Sequence, residues 1–187
     1  RKGLPRFVMV GLPDTACRES RDRIRAAILS AGLRFDTAEV VTVNLAPSGL
    51  RKSGSALDLP IAVAYLVASE QLAPNAVESV GLIGELGLDG SVRAVRGALP
   101  LTEAVVVPAG NAGEAQLSQR DVLVAESLGG VVASLSGEAP WPDPPQLVLP
   151  AAQPGPDLSQ VRGHRLARLG LAVAVTGGQT LVMLVPA

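Results

Sequence analysis

Apolar residues in this chain fall into short runs separated by Gly and Pro, and the spacing within each run predicts its element. Arg6–Gly11 (RFVMVG) is a β-rich apolar run, a buried strand closed by the turn Gly11-Leu12-Pro13-Asp14. Asp14 or Thr15 stands where the next element needs a helix cap. Thr15–Ala31 predicts that helix: at about 100° per residue, Ala16, Cys17, Ile24, Ala27, Ile28 and Ala31 share one arc, and Arg18, Arg21 and Arg25 share another. Gly32 ends it. Glu39–Leu45 (EVVTVNL) is a second strand, followed by a polar loop over Ala46–Ser55 with Arg51 and Lys52 at its centre. Asp58–Ser69 is apolar almost all round, so it predicts a buried helix with Pro60 accommodated in the first turn.

Val80–Leu86 and Ser91–Val95 flank Leu88-Asp89-Gly90, a hairpin signal, because Asp-Gly suits a turn that needs positive φ. Gly97–Ala104 reads as the first turns of a helix, yet Val105–Pro108 already reads as a strand. Packing a helix back on a sheet takes a connection of a few residues, so residues are expected to be missing near Glu103–Val105. Asn111–Leu117 predicts a short helix, Asp121–Ala125 a strand and Ser127–Leu135 a closing helix. Glu138–Pro156 then holds seven prolines in nineteen residues, which bars a helix or central strand and predicts a stiff linker. Asp157–Gly178 resumes a helical pattern and Thr180–Val185 predicts a strand. The expected layout is an α+β domain over 1–137, a Pro-rich linker over 138–156, and the truncated start of a second, α/β domain over 157–187.

Composition narrows the chemistry. The hydrophobic fraction is 48% but aromatics are 2%, so the core must be built from Val, Leu, Ile and Ala. Neither a bilayer-spanning run nor a signal-peptide core is present, which predicts a cytoplasmic protein without membrane contact. One cysteine, Cys17, and one histidine, His164, cannot build a structural zinc site or an internal disulfide. Cys17 falls on the apolar arc and reads as a small buried residue. Residues 1–52 carry ten Lys/Arg against five Asp/Glu, which fits either a polyanion partner or solvated helix faces.

Four segments then point the same way: Gly11-LPDTACRESRDRIRAAI-Leu29, Val41-TVNLAPSGLRKSGSALDLPIA-Val63, Gly84-ELGLDGSVRAVRGALP-Leu101 and Val106-VPAGNAGEA-Gln116. Together they resemble the magnesium-chelatase-like AAA+ ATPases of the ComM/YifB type, over most of residues 4–137. Asp157-LSQVRGHRLARLGLAVAVTGG-Gln179 resembles the stretch leading into that family's motor. The resemblance implies a front domain of the ribosomal protein S5 domain 2-like type, similar to the proteolytic domain of Lon and here lacking its first strands. It also implies a hexameric parent that uses ATP and magnesium and acts in branch migration of incoming DNA. Lon-type proteolysis needs a serine and a lysine that activates it. Aligned with the Lon pattern, Ala56 takes the nucleophile position and Leu99 the lysine position, so no catalytic residue is expected. A phosphate loop reads Gly-x4-Gly-Lys-Ser/Thr after a strand, and this chain gives Val185-Pro186-Ala187 instead. Val161, Arg162, Gly163 and His164 resemble the adenine-side segment, which needs the full motor to act.

The candidate nucleic-acid or anion contacts are Arg51 and Lys52, ahead of a helix start, and the Arg18, Arg21 and Arg25 stripe. Against them, Asp58 is placed to occupy that helix start itself, and Arg18–Asp22 and Glu19–Arg23 have the i,i+4 spacing of ordinary surface pairs. With aromatics only at Phe7, Phe35, Tyr65 and Trp141, no base-stacking platform is legible. Trp141, among prolines, is placed to dock the linker on the domain. Three functions stay open: a non-catalytic accessory module of such an ATPase, part of an ATP-hydrolysing chelatase-type enzyme, or an oligomerisation and docking domain.

Overall fold

The computed structural model describes residues 6–36, 40–47, 54–96, 104–118, 120–145 and 157–183. The chain divides into two compact units, Arg1–Leu147 and Val148–Ala187.

In the first unit, β1 (Arg6–Val10) leads into α1 (Thr15–Ser30) and returns as β2 (Val40–Asn44). β1 and β2 pair in parallel from Arg6↔Val40 to Val10↔Asn44. Their approach is close at Gly11, where a Cβ would come within 2.1 Å of the Leu45 carbonyl oxygen and where φ is +102°. Glycine alone fits that position. α2 (Asp58–Ala68) comes next along the chain, with Leu59, Ile61, Ala62, Val63, Tyr65 and Leu66 all buried.

The stretch predicted as one strand over Val80–Leu86 is broken into β3 (Val80–Leu82) and β4 (Glu85–Leu86). The break falls at Gly84, whose N–H and C=O turn aside to bond Ala56 and Leu59 at 3.0 Å each. β4 pairs antiparallel with β5 (Val92–Arg93) across the predicted Leu88-Asp89-Gly90 turn, and Gly90 takes φ +83°. β3 instead pairs in parallel with β6 (Ala104–Pro108), which pairs in parallel with β7 (Asp121–Ala125), giving the order β3-β6-β7. The expected helix over Gly97–Ala104 lies outside the described residues except for Ala104, which belongs to β6. α3 (Ala112–Gln116) connects β6 to β7, and α4 (Leu128–Leu135) is capped by Ser127, whose hydroxyl accepts from the Gly130 N–H at 3.2 Å.

The main core joins α1, α2, the β4–β5 hairpin and α4 through Ile24, Ile28, Leu59, Leu66, Leu86 and Leu128, each fully buried. A smaller cluster, Val105, Val107, Ala112, Ala115 and Val124, lies between β6, β7 and α3. Of the Pro-rich stretch, residues 138–145 lie along this unit. Trp141 packs against the main core, Ser134 bonds the Pro140 carbonyl at 3.2 Å, and Gln116 bonds that of Pro145 at 3.1 Å.

The second unit contains α5 (Arg165–Thr176). The strand expected at Thr180–Val185 is not formed over its described residues 180–183. Val182 is 77% exposed, and among the described residues of this unit there is no other strand to share a ladder with it. Among the described residues, no helix is long and apolar enough to cross a membrane.

Candidate functional site

The start of α1 and the chain entering α2 meet at Gly54. Asp14 caps α1 as its position in the sequence predicts, one carboxylate oxygen accepting from the Cys17 N–H at 2.8 Å. Its other oxygen accepts from the Gly54 N–H at 2.9 Å, and the Cys17 thiol donates to the Gly54 carbonyl at 3.3 Å. Both backbone groups of Gly54, a residue at φ +82°, are therefore held from α1. Ser55 donates its hydroxyl to the Glu85 carboxylate of β4. Ala56 presents a methyl group, and its carbonyl accepts from the Gly84 N–H.

Asp58 opens α2 and is fully buried. Such a carboxylate must be paired, since removing a charge from water costs several kcal/mol. Arg23 provides the pairing, with Nε on Oδ2 at 2.6 Å and Nη2 on Oδ1 at 3.1 Å. Ser20, also fully buried, donates to the same carboxylate, and the Leu86 N–H approaches it at 3.3 Å. Arg23 Nη2 further donates to Ser20 Oγ and the Ala16 carbonyl, each at 3.0 Å. The hydrogen bond to Asp58 raises the Arg23 guanidinium above its ordinary pKa, against the opposing effect of burial. The cluster thus ties α1, α2 and β4 together and leaves Ser20 and Ser55 both donating to carboxylates.

This cluster refines one sequence-based pairing: Arg23 forms its ion pair with Asp58, thirty-five positions away, and Glu19 adds only a smaller favourable charge effect. The signal lies in Asp58 itself, an acid at the head of a helix apolar on every side. Cys17 is fully buried as expected, and burial first, then the charge of Asp14, raises its thiol pKa.

The basic candidates are distributed unevenly. Arg21 and Arg25 stand one turn apart on α1 and are exposed. The side chain of Arg18 lies outside the described residues, as do Arg51, Lys52 and Leu99. In the second unit, Val161, Arg162, Gly163 and His164 are all exposed immediately before α5. Gly163 and His164 are both left-handed, at φ +77° and +45°, and the His164 side chain makes no cap. The one carboxylate among residues 157–183, Asp157, accepts from the Ser159 N–H at 2.7 Å. Magnesium held with a triphosphate calls for oxygen ligands and a phosphate cradle, and the described residues of this unit do not fit that requirement.

Comparison with known proteins adds a family. The model described as "Subunit ChlI of Mg-chelatase" matches residues 1–113. The uncharacterized protein YifB of Escherichia coli K12 is 41% identical over 195 residues, covering 99% of this chain and 38% of YifB. Competence protein ComM of Haemophilus influenzae is 34% identical over 197 residues, covering 98% of this chain and 38% of ComM. A Mycobacterium tuberculosis protein, Rv2897c, is 38% identical over 193 residues, with the same 98% and 38% coverage. The chain therefore spans well under half the length of these relatives.

Proposed function

This chain belongs to the family of the Mg-chelatase subunit ChlI, and on that premise we propose that it is a non-catalytic accessory module of a ComM-type, Mg-chelatase-like AAA+ ATPase acting on DNA. In this reading the first unit is a Lon-like, S5 domain 2-like scaffold, and the second unit leads into a motor. ATP, magnesium and a hexameric assembly belong to the parent protein.

The observation that carries the reading is Ala56. Ala56 follows a turn held by Asp14, Cys17 and Glu85, and in the alignment with the Lon pattern it takes the nucleophile position with a methyl group that cannot attack a peptide bond. In support, the Ser55 hydroxyl nearby is engaged by a carboxylate. The similarity to ComM, a competence protein, supports a part in competence.

The module's part in that work is weak, sequence-independent contact with phosphates through Arg51 and Lys52, aided by Arg18, Arg21 and Arg25. Titration of a random-sequence duplex at low salt tests this. Reversing both charges (Arg51→Glu with Lys52→Glu) should lower affinity by at least about tenfold, and binding should fall steeply with added salt. Undetectable binding at low salt, or indifference to the double reversal, refutes the DNA role. Peptidase or ATPase turnover by residues 1–187 that vanished on changing one of those residues would refute the accessory role.

A further inference from the structure

Residues 138–145 leave the end of α4 and continue along the first unit as neither helix nor strand. The helix end itself is firmly tied: the Glu138 and Ala139 N–H groups both bond the Ala133 carbonyl, at 2.8 and 3.2 Å. From Pro140 onward the bonding changes kind. Residues 140, 142, 144 and 145 are proline and have no N–H. Among the described residues, the N–H groups that remain, on Trp141 and Asp143, make no main-chain bond. What holds this segment comes from side chains of the helices beneath it. Ser134 of α4 donates to the Pro140 carbonyl at 3.2 Å, and Gln116 of α3 donates to the Pro145 carbonyl at 3.1 Å. Between those two bonds Trp141 packs against the main core, while Pro142, Asp143, Pro144 and Pro145 stand exposed.

One anchoring side chain, carbonyls that accept from the surface below, and prolines left in water are how a receptor holds a separate proline-rich peptide. The fit is also not closed. Gln116 Oε1 is buried and has no hydrogen-bond partner, a state that buried polar atoms rarely keep. The prolines at that end of the segment have no N–H to offer it. An indole and two side-chain bonds therefore hold residues 140–145, on a surface with an acceptor to spare.

We propose that the surface between Gln116 of α3 and Ser134 of α4 is a docking seat for a proline-rich segment with an indole anchor, and that residues 138–145 are its resident ligand, closing it in cis. A partner in trans is a segment of the same chemistry, and it gains the seat only by displacing the resident. Few contacts suffice to keep the seat closed. A covalently linked segment competes at an effective concentration on the order of millimolar, so it outweighs a free peptide that makes the same contacts.

The probe is acetyl-Glu-Ala-Pro-Trp-Pro-Asp-Pro-Pro-amide, the resident's own sequence, titrated into residues 1–187 by calorimetry and by amide chemical-shift mapping. Trp141→Ala vacates the seat, so this variant should bind the peptide saturably and at least about tenfold tighter than wild type does. Shifts should centre on residues 115–118 and 131–136. The same peptide with alanine for its tryptophan should not bind. Adding Ser134→Ala to Trp141→Ala should weaken binding by about fivefold. If Trp141→Ala loses its native circular dichroism, wild type decides: peptide in large excess should move the amide signals of Trp141 and Asp143 as the resident leaves. No saturable binding to either protein, or equal affinity for both, overturns the proposal. So does sedimentation showing a dimer that Trp141→Ala makes monomeric, because another copy's segment would then be the resident.

Discussion

Helix α1 carries arginines on two faces, and their fates differ entirely. Arg23 turns inward, is 20% exposed, and spends its guanidinium on Asp58, Ser20 and the Ala16 carbonyl. Arg21 and Arg25, two positions to either side, stand in solvent. The residue type is the same and the backbone is the same; the difference is what lies opposite. An acid at the head of an apolar helix needs a cation, and only the inward face can provide one. The outward face is left to water and is open to a polyanion. A basic helix is therefore not one surface: part of its charge is internal structure, and only the remainder is available for binding.

The largest effect should come from breaking the inward pair. Asp58→Ala leaves Arg23 without its buried counter-charge and should lower unfolding free energy by about 3–5 kcal/mol, measured by urea titration. Replacing both partners, Asp58→Leu with Arg23→Met, should recover most of that loss, because an apolar pair of similar volume carries no stranded charge. If the double variant is no better than the single one, the ion pair is not what holds the inward face.

Asp14→Ala comes next. Loss of a helix cap alone costs about 1 kcal/mol, and this carboxylate also holds Gly54, so about 1–2 kcal/mol is expected by the same titration. A value of only a few tenths would mean the Gly54 contact contributes nothing.

A smaller effect appears at alkaline pH. The Cys17 thiol has its pKa raised by burial above the ordinary value of 9.0, so the folded state keeps the proton that the unfolded state releases. The sign is fixed: the stabilisation is complete below about pH 9 and is lost as pH rises toward the folded value. Wild type should lose stability above pH 9 by up to about 1.4 kcal/mol per pH unit relative to Cys17→Ala. Parallel stability curves for the two proteins would show that the thiol ionises in the fold as easily as in solution.

The smallest change in stability belongs to the outward face. Arg21→Gln with Arg25→Gln should stay within about 0.5 kcal/mol of wild type while reducing low-salt DNA affinity. Equal loss of stability from outward and inward arginines would erase the distinction between the faces.

How much of the molecule is legible in its sequence depends on which interactions are local. The Asp14 cap, the Asp89-Gly90 turn, the β2 run and the apolar arc of α1 are each decided by a few adjacent residues, and each forms as its pattern predicts. What falls short involves distance. The i,i+4 spacing visible along the chain pairs Arg23 with Glu19, whereas Asp58 is brought to it only by folding. The run Val80–Leu86 reads as continuous because its pattern cannot show that Gly84 must serve Ala56 and Leu59. Residues 180–183 have strand composition, but a strand is a relation to a neighbour and not a property of a segment. The seat beneath residues 138–145 is illegible for the same reason, since its two donors, Gln116 and Ser134, lie on different helices.

The contact of Trp141 with the main core gives the protein an internal gauge. It is the sole tryptophan, it belongs to the proline-rich stretch, and it rests on the first unit. Its emission should therefore shift to the red when that stretch peels away, ahead of or together with loss of helical ellipticity. Comparing the two optical signals during denaturation would tell whether the prolines detach as a strap or leave only when the whole unit melts.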